Sequence, residues 1–290
     1  ATRTARVEPL PYLFICAFIA NAASFVLPIS NPANLVLYGD HMPALPVWLL
    51  RFAVPSALSI VATFVALRLA HRQDLGGPVD QSDKPQPLSA GGRLVAAGIV
   101  ATAIVLLVAS SFGWQLGLPT FIAGAIVAAI VLVRSRQSPW PTLRHVSWGV
   151  LPLVAGLFIL VEALNQTGVL SRLTDLLRAA AGQSAASTAA IVGLAVGVGT
   201  NLVNNLPLGL VAASTSHAAQ VPVPVTNALL IGIDLGPNLS VTGSLATILW
   251  LIALRREGIG VSALRFLKLG ALVMPPALLL SLGAMLLLSR

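Results

Sequence analysis

Apolar runs of bilayer length recur along this chain, and nothing else constrains its fold as much. Residues 47–69 would span about 35 Å as a helix. Further apolar runs cover residues 11–26, 94–109, 119–133, 146–164 and 269–288. In hydrocarbon every backbone N–H and C=O must be bonded internally, so a crossing segment is a helix or part of a closed barrel. These runs are too continuous for the short alternating strands of a barrel. Hydrophobic residues make up 57% of the chain and charged residues 9%, against roughly a quarter charged in soluble domains. The expectation is an all-α polytopic membrane protein. The net charge of +8 does not imply a nucleic-acid partner, because Lys and Arg sit between the runs and follow topology. Cys16 is the single cysteine, which excludes an intrachain disulfide and a cysteine metal cluster; it reads as packing. His41, His71, His145 and His217 show no ligand spacing, so no metal and no cofactor are expected. No nucleophile–base pair falls at membrane depth, so the chain does not read as an enzyme.

Three polar patches interrupt the apolar pattern. The first is Leu27-Pro28-Ile29-Ser30-Asn31-Pro32-Ala33-Asn34. The second is Thr200-Asn201-Leu202-Val203-Asn204-Asn205-Leu206-Pro207, and the third runs from Asp234 through Gly236-Pro237-Asn238-Leu239-Ser240-Val241-Thr242-Gly243-Ser244. Broken helix at depth survives only where protein or a wet cavity satisfies the freed backbone, and paired interruptions point to a transporter's site. Residues 185–198 are too few to cross. They predict a re-entrant hairpin over 185–216 with its tip near Asn204 and Asn205. Residues 223–254 are too many for one straight span and predict a helix broken at 236–243. Residues 168–182 carry Val169, Leu170, Leu173, Leu176 and Leu177 at helical spacing among charges, the pattern of an interfacial helix. With the N-terminal segment in the cytoplasm and the hairpin returning to its own side, thirteen of the 17 Lys and Arg are cytoplasmic, and the C-terminus lies outside.

An internal repeat accompanies the patches. Residues 29–36 resemble residues 242–249 at an offset of 213, and Leu50-Arg51-Phe52 recurs as Leu264-Arg265-Phe266 at an offset of 214. Arg51 then falls outside and Arg265 inside, as inverted repeats require. Residues 1–70 read as the C-terminal part of a first repeat and 71–92 as a cytoplasmic linker. Residues 93–290 read as a second repeat: scaffold spans 93–167, the interfacial helix, the hairpin, the broken helix and a last span at 264–289. The first repeat's own hairpin is then absent, and the chain reads as the C-terminal two-thirds of a protein roughly 130 residues longer.

The patches suggest their chemistry. Asn204 and Asn205 offer uncharged donors and acceptors; they present amides to a polar substrate or bond neighbouring helices. Asp234 is an acid inside an apolar run, a candidate proton carrier or else a cap on the broken helix. Ser30, Asn31 and Asn34 are mirrored by Asn238, Ser240, Thr242 and Ser244. These residues reach substrate or satisfy backbone freed by Pro28, Pro32 and Pro237. Thr200 and Asn201 complete the polar set. Gly197 and Gly199 read as close-packing positions. No Arg or Lys clamp for an organic anion occurs in any patch.

The runs 24–36, 201–207 and 233–250 resemble the arsenite/antimonite efflux permeases of the ArsB type. That group belongs to the ion transporter superfamily, which also holds dicarboxylate and citrate carriers. Asp234-Leu235-Gly236-Pro237-Asn238 with its Gly243-Ser244-Leu245-Ala246-Thr247 continuation is the most specific part. The resemblance implies an inverted-repeat ion-transporter fold with its first repeat incomplete, located in a bacterial cytoplasmic membrane. It also implies arsenite or antimonite export driven by protons. Among partners it leaves open an ArsA-type ATPase and a second copy of the chain. The rival readings are a proton- or sodium-coupled carrier of an organic anion and, in a different class, a channel or a membrane assembly subunit.

Overall fold

Long apolar rods alternate with short helices separated by irregular backbone. The computed structural model describes residues 9–73, 88–136, 138–146 and 148–289. The N-terminal segment with Arg3 and Arg6, most of the expected linker with Lys84, and Arg290 lie outside the described residues. Helix α1 (Pro9–Ala22) breaks into α2 (Pro32–Tyr38), and α3 (Leu45–Ala70) follows. Then come α4 (Ala90–Ser111), α5 (Gly117–Ser135), α6 (Pro139–His145), α7 (Val150–Gln166) and α8 (Val169–Gln183). Helices α9 (Ala185–Val203) and α10 (Asn205–Ala219) form a hairpin. The chain closes with α11 (Val223–Leu235), two 3-10 turns, α12 (Leu245–Arg256) and α13 (Ala263–Leu288). Among the described residues α3, α4, α5, α9 and α13 are long and apolar enough to cross a membrane. The chain is a multi-pass membrane protein.

Four points are corrected or added. The first apolar run stops being helical at Ala22, because residues 23–30 form turns fastened by neighbouring side chains. The basic stretch after α5 contains a short helix, α6, started by Pro139 with Ser138 as its N-cap. Cys16 is exposed and does not pack inside the protein. Helix α9 does not stop at Val198: it runs 19 residues, through the start of the polar patch. Its extension is held by side chains that bond back to their own helix. Thr200 Oγ1 donates to the Gly197 carbonyl at 3.0 Å, and Asn201 Nδ2 donates to the Gly197 and Val198 carbonyls at 3.0 and 3.2 Å. Only Asn204 leaves the helix, at φ 73° and ψ 154°. That region is nearly glycine-only and costs about 1–3 kcal/mol.

Backbone contact joins α9 to α11. A Cβ on Gly232 would meet the Gly193 carbonyl, and one on Gly236 would meet the Gly197 carbonyl and Thr200 Oγ1. No larger residue permits this approach. The two longest helices, α3 and α13, pack together, and Ser281 Oγ donates to the Pro55 carbonyl at 3.0 Å. Phe14, Phe18, Trp250 and Phe266 form an aromatic cluster, with Phe18 and Phe266 stacked at 4.9 Å. It locks α1 against α12 and α13.

Candidate functional site

Both irregular stretches free backbone groups, and both are satisfied by named side chains. In residues 23–31, Trp48 Nε1 donates to the Phe25 carbonyl at 3.0 Å and Ser59 Oγ to the Ala22 carbonyl at 3.0 Å. Asn34 Nδ2 donates to the Ser24 and Leu27 carbonyls at 3.0 and 3.2 Å. In residues 236–244, Asn201 Nδ2 donates to the Gly236 carbonyl at 3.0 Å, and Asn204 Nδ2 donates to the Thr242 carbonyl at 2.9 Å. Asn31 and Ser244 each cap the helix that follows, accepting from Ala33 N at 3.0 Å and Ala246 N at 3.1 Å. These bonds satisfy carbonyls that the two breaks free, the condition for irregular backbone within a membrane.

Each broken helix also reaches into the other. Asp234, in the last turn of α11, is 1% exposed, and its Oδ1 accepts from Asn31 Nδ2 at 2.8 Å. Its Oδ2 is buried with no partner. No ion pair holds it among the described residues. Conversely Asn21, in the last turn of α1, donates from Nδ2 to Asn238 Oδ1 at 3.0 Å. Asn238 Nδ2 then donates to the Phe18 carbonyl at 3.1 Å. An unpaired buried charge is costly. Among the described residues one amide and no cation face this carboxyl group.

The hairpin tip closes on the second break. Asn201 Oδ1 accepts from Ser240 Oγ at 2.8 Å, Thr242 Oγ1 donates to the Asn201 carbonyl at 3.0 Å, and the two hydroxyls stand 3.1 Å apart. Asn204 Oδ1 accepts from Leu206 N at 3.3 Å, which together with the Thr242 bond holds the strained tip. Asn205 is buried, yet its amide makes no hydrogen bond among the described residues. Asn34 Oδ1 is likewise buried and unpartnered. Asp234 Oδ2 and Asn34 Oδ1 are thus both buried without a partner among the described residues.

The structure thus brings Asp234 to Asn31, and Asn201 and Asn204 to Ser240 and Thr242. Thr200 is buried beside Gly236. Ser30 and Ser244 make only local bonds, Ser30 Oγ accepting from Leu27 N at 3.3 Å. Asn238 is fully buried with both ends of its amide used, so its placement favours fastening α1 over reaching substrate. Sequence reasoning missed Asn21, whose signal was an amide inside an apolar run. It also missed Asn227, whose Oδ1 accepts from the Tyr38 hydroxyl at 2.9 Å. No group of three metal-ligating side chains occurs among the described residues.

Comparison with known proteins places the chain in a family. The family described as CitMHS, citrate transporter, matches residues 1–232. The chain belongs to the citrate transporter family. It is 25% identical over 285 residues to the arsenical pump membrane protein of Escherichia coli K12, covering 95% of this chain and 66% of that one. It is 25% identical over 287 residues to the arsenical pump membrane protein of Yersinia enterocolitica, with the same coverages. An uncharacterised transporter of Mycobacterium tuberculosis is 27% identical over 297 residues, covering 95% of this chain and 67% of the relative. The chain of this family member spans 66% of the length of the arsenical pump relatives.

Proposed function

We propose that this chain carries the transport site of a secondary active transporter that exports arsenite or antimonite across a bacterial cytoplasmic membrane in exchange for protons. The observation that carries the reading is the buried Asp234 carboxylate, held by the Asn31 amide and by no cation among the described residues. A proton arriving at Asp234 takes the free Oδ2 and leaves the Asn31 bond on Oδ1 intact. Arsenite near neutral pH is mostly an uncharged triol, which amides and hydroxyls bind and which a membrane potential cannot drive. Export then needs a coupled ion. Asn205, Asn34 and the Asn201–Asn204–Ser240–Thr242 cluster supply neutral donors and acceptors. Asn31 acts through Asp234, while Asn238, Thr200, Ser30 and Ser244 hold the breaks in shape. The arsenical pump relatives support the substrate.

The broken helices read as the cores of two inverted repeats. Asn31 and Ser244 are 213 positions apart and both are N-caps; Asn21 and Asp234 are also 213 apart and both close the last turn of the preceding helix. The N-terminal segment of this chain is assigned to the cytoplasm and α8 to the interface. An ArsA-type ATPase and a second copy of the chain stay open as partners.

A second reading, a proton- or sodium-coupled carrier of an organic anion, is favoured by the family's citrate description. Everted vesicles bearing the whole protein separate the two. Proton-gradient-driven accumulation of arsenite that excess citrate or succinate leaves unchanged supports export of arsenite. Uptake of labelled citrate, or its competition with arsenite, supports the carrier. Arsenite that equilibrates without accumulating identifies a channel.

A further inference from the structure

Away from the hairpin tip, the turn after α2 meets the end of α10. Helix α10 separates this place from Asn204 by about 20 Å. His41 and His217, far apart in sequence, stand here with ring centroids 5.2 Å apart and planes at 63°. They border a cavity of about 670 Å³ that also takes in Tyr38, Arg51, Gln220 and Thr226. Arg51 lines the cavity together with Tyr38, whose hydroxyl donates to Asn227 Oδ1 at 2.9 Å. Gln220 adopts a left-handed φ of 50° and its N–H bonds the His217 carbonyl at 3.1 Å. This turn sets both side chains on one wall. No acid stands among the described residues that line the cavity.

The cavity continues into apolar surface. Val47 lies in its wall and begins an exposed stripe of α3 at helical spacing: Val47, Leu50, Val54, Val61 and Phe64. Leu50, one turn below the opening, is 80% exposed. Helix α3 is itself long and apolar enough to span a membrane. The space is far larger than a bare phosphate needs. A guanidinium at the end of an apolar helix of membrane length can give charge-assisted hydrogen bonds to the phosphate of a head group.

We propose that this cavity and stripe bind an anionic phospholipid. Its phosphate accepts hydrogen bonds from Arg51 and the two imidazoles, with Gln220 and Thr226 at the head group, and an acyl chain lies along the Val47–Phe64 face. The proposal is independent of the transport reading, because none of these residues touches the Asp234 site.

The test is thermal unfolding of the whole protein in mild detergent with added phosphatidylglycerol, phosphatidylcholine or inorganic phosphate, for the wild type and for His41→Gln/His217→Gln. Both imidazoles are exposed, and the double variant leaves the Tyr38–Asn227 bond in place. Phosphatidylglycerol should raise the midpoint by about 3 °C or more, phosphatidylcholine by less than half of that, and the double variant should lose most of the increment. Arg51→Gln, read as the lipid-induced increment over its own baseline, should lose it as well. Equal effects of the two lipids, or a full increment in both variants, would overturn the proposal. An equal shift from inorganic phosphate alone would also overturn it, as evidence of a free-anion site.

Discussion

The two breaks share a plan and differ in what fastens them. Each ends in a capping side chain, Asn31 or Ser244. Each is preceded by a last-turn side chain that crosses to the other break, Asn21 to Asn238 and Asp234 to Asn31 in partnership. The first is anchored by α3, through Trp48 and Ser59, and by its own Asn34. The second is anchored by α9 and the hairpin tip, through Asn201 and Asn204. The first crossing bond is amide to amide, whereas the second carries the carboxylate. Ionisable chemistry and the strained tip therefore belong to one break, and the other serves as its frame.

The largest expected effect comes from destroying the contact peculiar to the second break. Gly236→Val places a side chain into the Gly197 carbonyl and Thr200. Overpacking costs roughly 1–3 kcal/mol and more when backbone must move, so little monodisperse protein should survive size-exclusion after extraction. The matched change in the first break, Ala23→Val, should be tolerated. Next, Asn201→Leu removes one bond from the Gly236 carbonyl and one from the Ser240 hydroxyl, each of which keeps a second partner, at about 0.5–1.5 kcal/mol each. A lower unfolding midpoint and at least about tenfold weaker arsenite accumulation should follow, while Asn34→Leu in the other break should lower stability with a smaller loss of transport.

The capping pair sharpens the comparison further. Asn31→Ala and Ser244→Ala each lose a cap, about 1 kcal/mol. Asn31→Ala also removes the donor to Asp234, a charge-assisted bond of about 1.5–3 kcal/mol. Asn31→Ala should therefore unfold at a lower midpoint than Ser244→Ala, and it alone should lose about tenfold in transport. The smallest effect on transport is expected of Asn21→Asp, which puts an acid where the first break has an amide and, by losing the donor to Asn238 Oδ1, also lowers the unfolding midpoint. If the two positions are equivalent, the pH dependence of transport becomes steeper; an unchanged slope would show that only the second break couples to protons.

Much of this architecture was legible in the sequence. Amides next to Pro207 marked the hairpin turn, and Gly236-Pro237 marked the break in the last long apolar run. What was not legible depended on which atoms side chains choose. The length of α9 could not be read, because Thr200 and Asn201 bond backward into the helix instead of ending it. Asn238 looked available for substrate, yet Phe18 and Asn21, more than two hundred residues away, consume its amide. Asn21 itself was one polar residue in an apolar run, with nothing to announce its partner. The meeting of His41 and His217 came from the packing of α10 on α2, which no spacing encodes.

The central claim is that Asp234 is the proton-exchanging group. Asp234→Asn keeps the shape and can still accept from Asn31, but it cannot ionise. In everted vesicles with an imposed proton gradient and matched membrane abundance, the account predicts that wild-type protein accumulates labelled arsenite against its concentration and Asp234→Asn does not. Gradient-driven accumulation by Asp234→Asn at the wild-type level would contradict it.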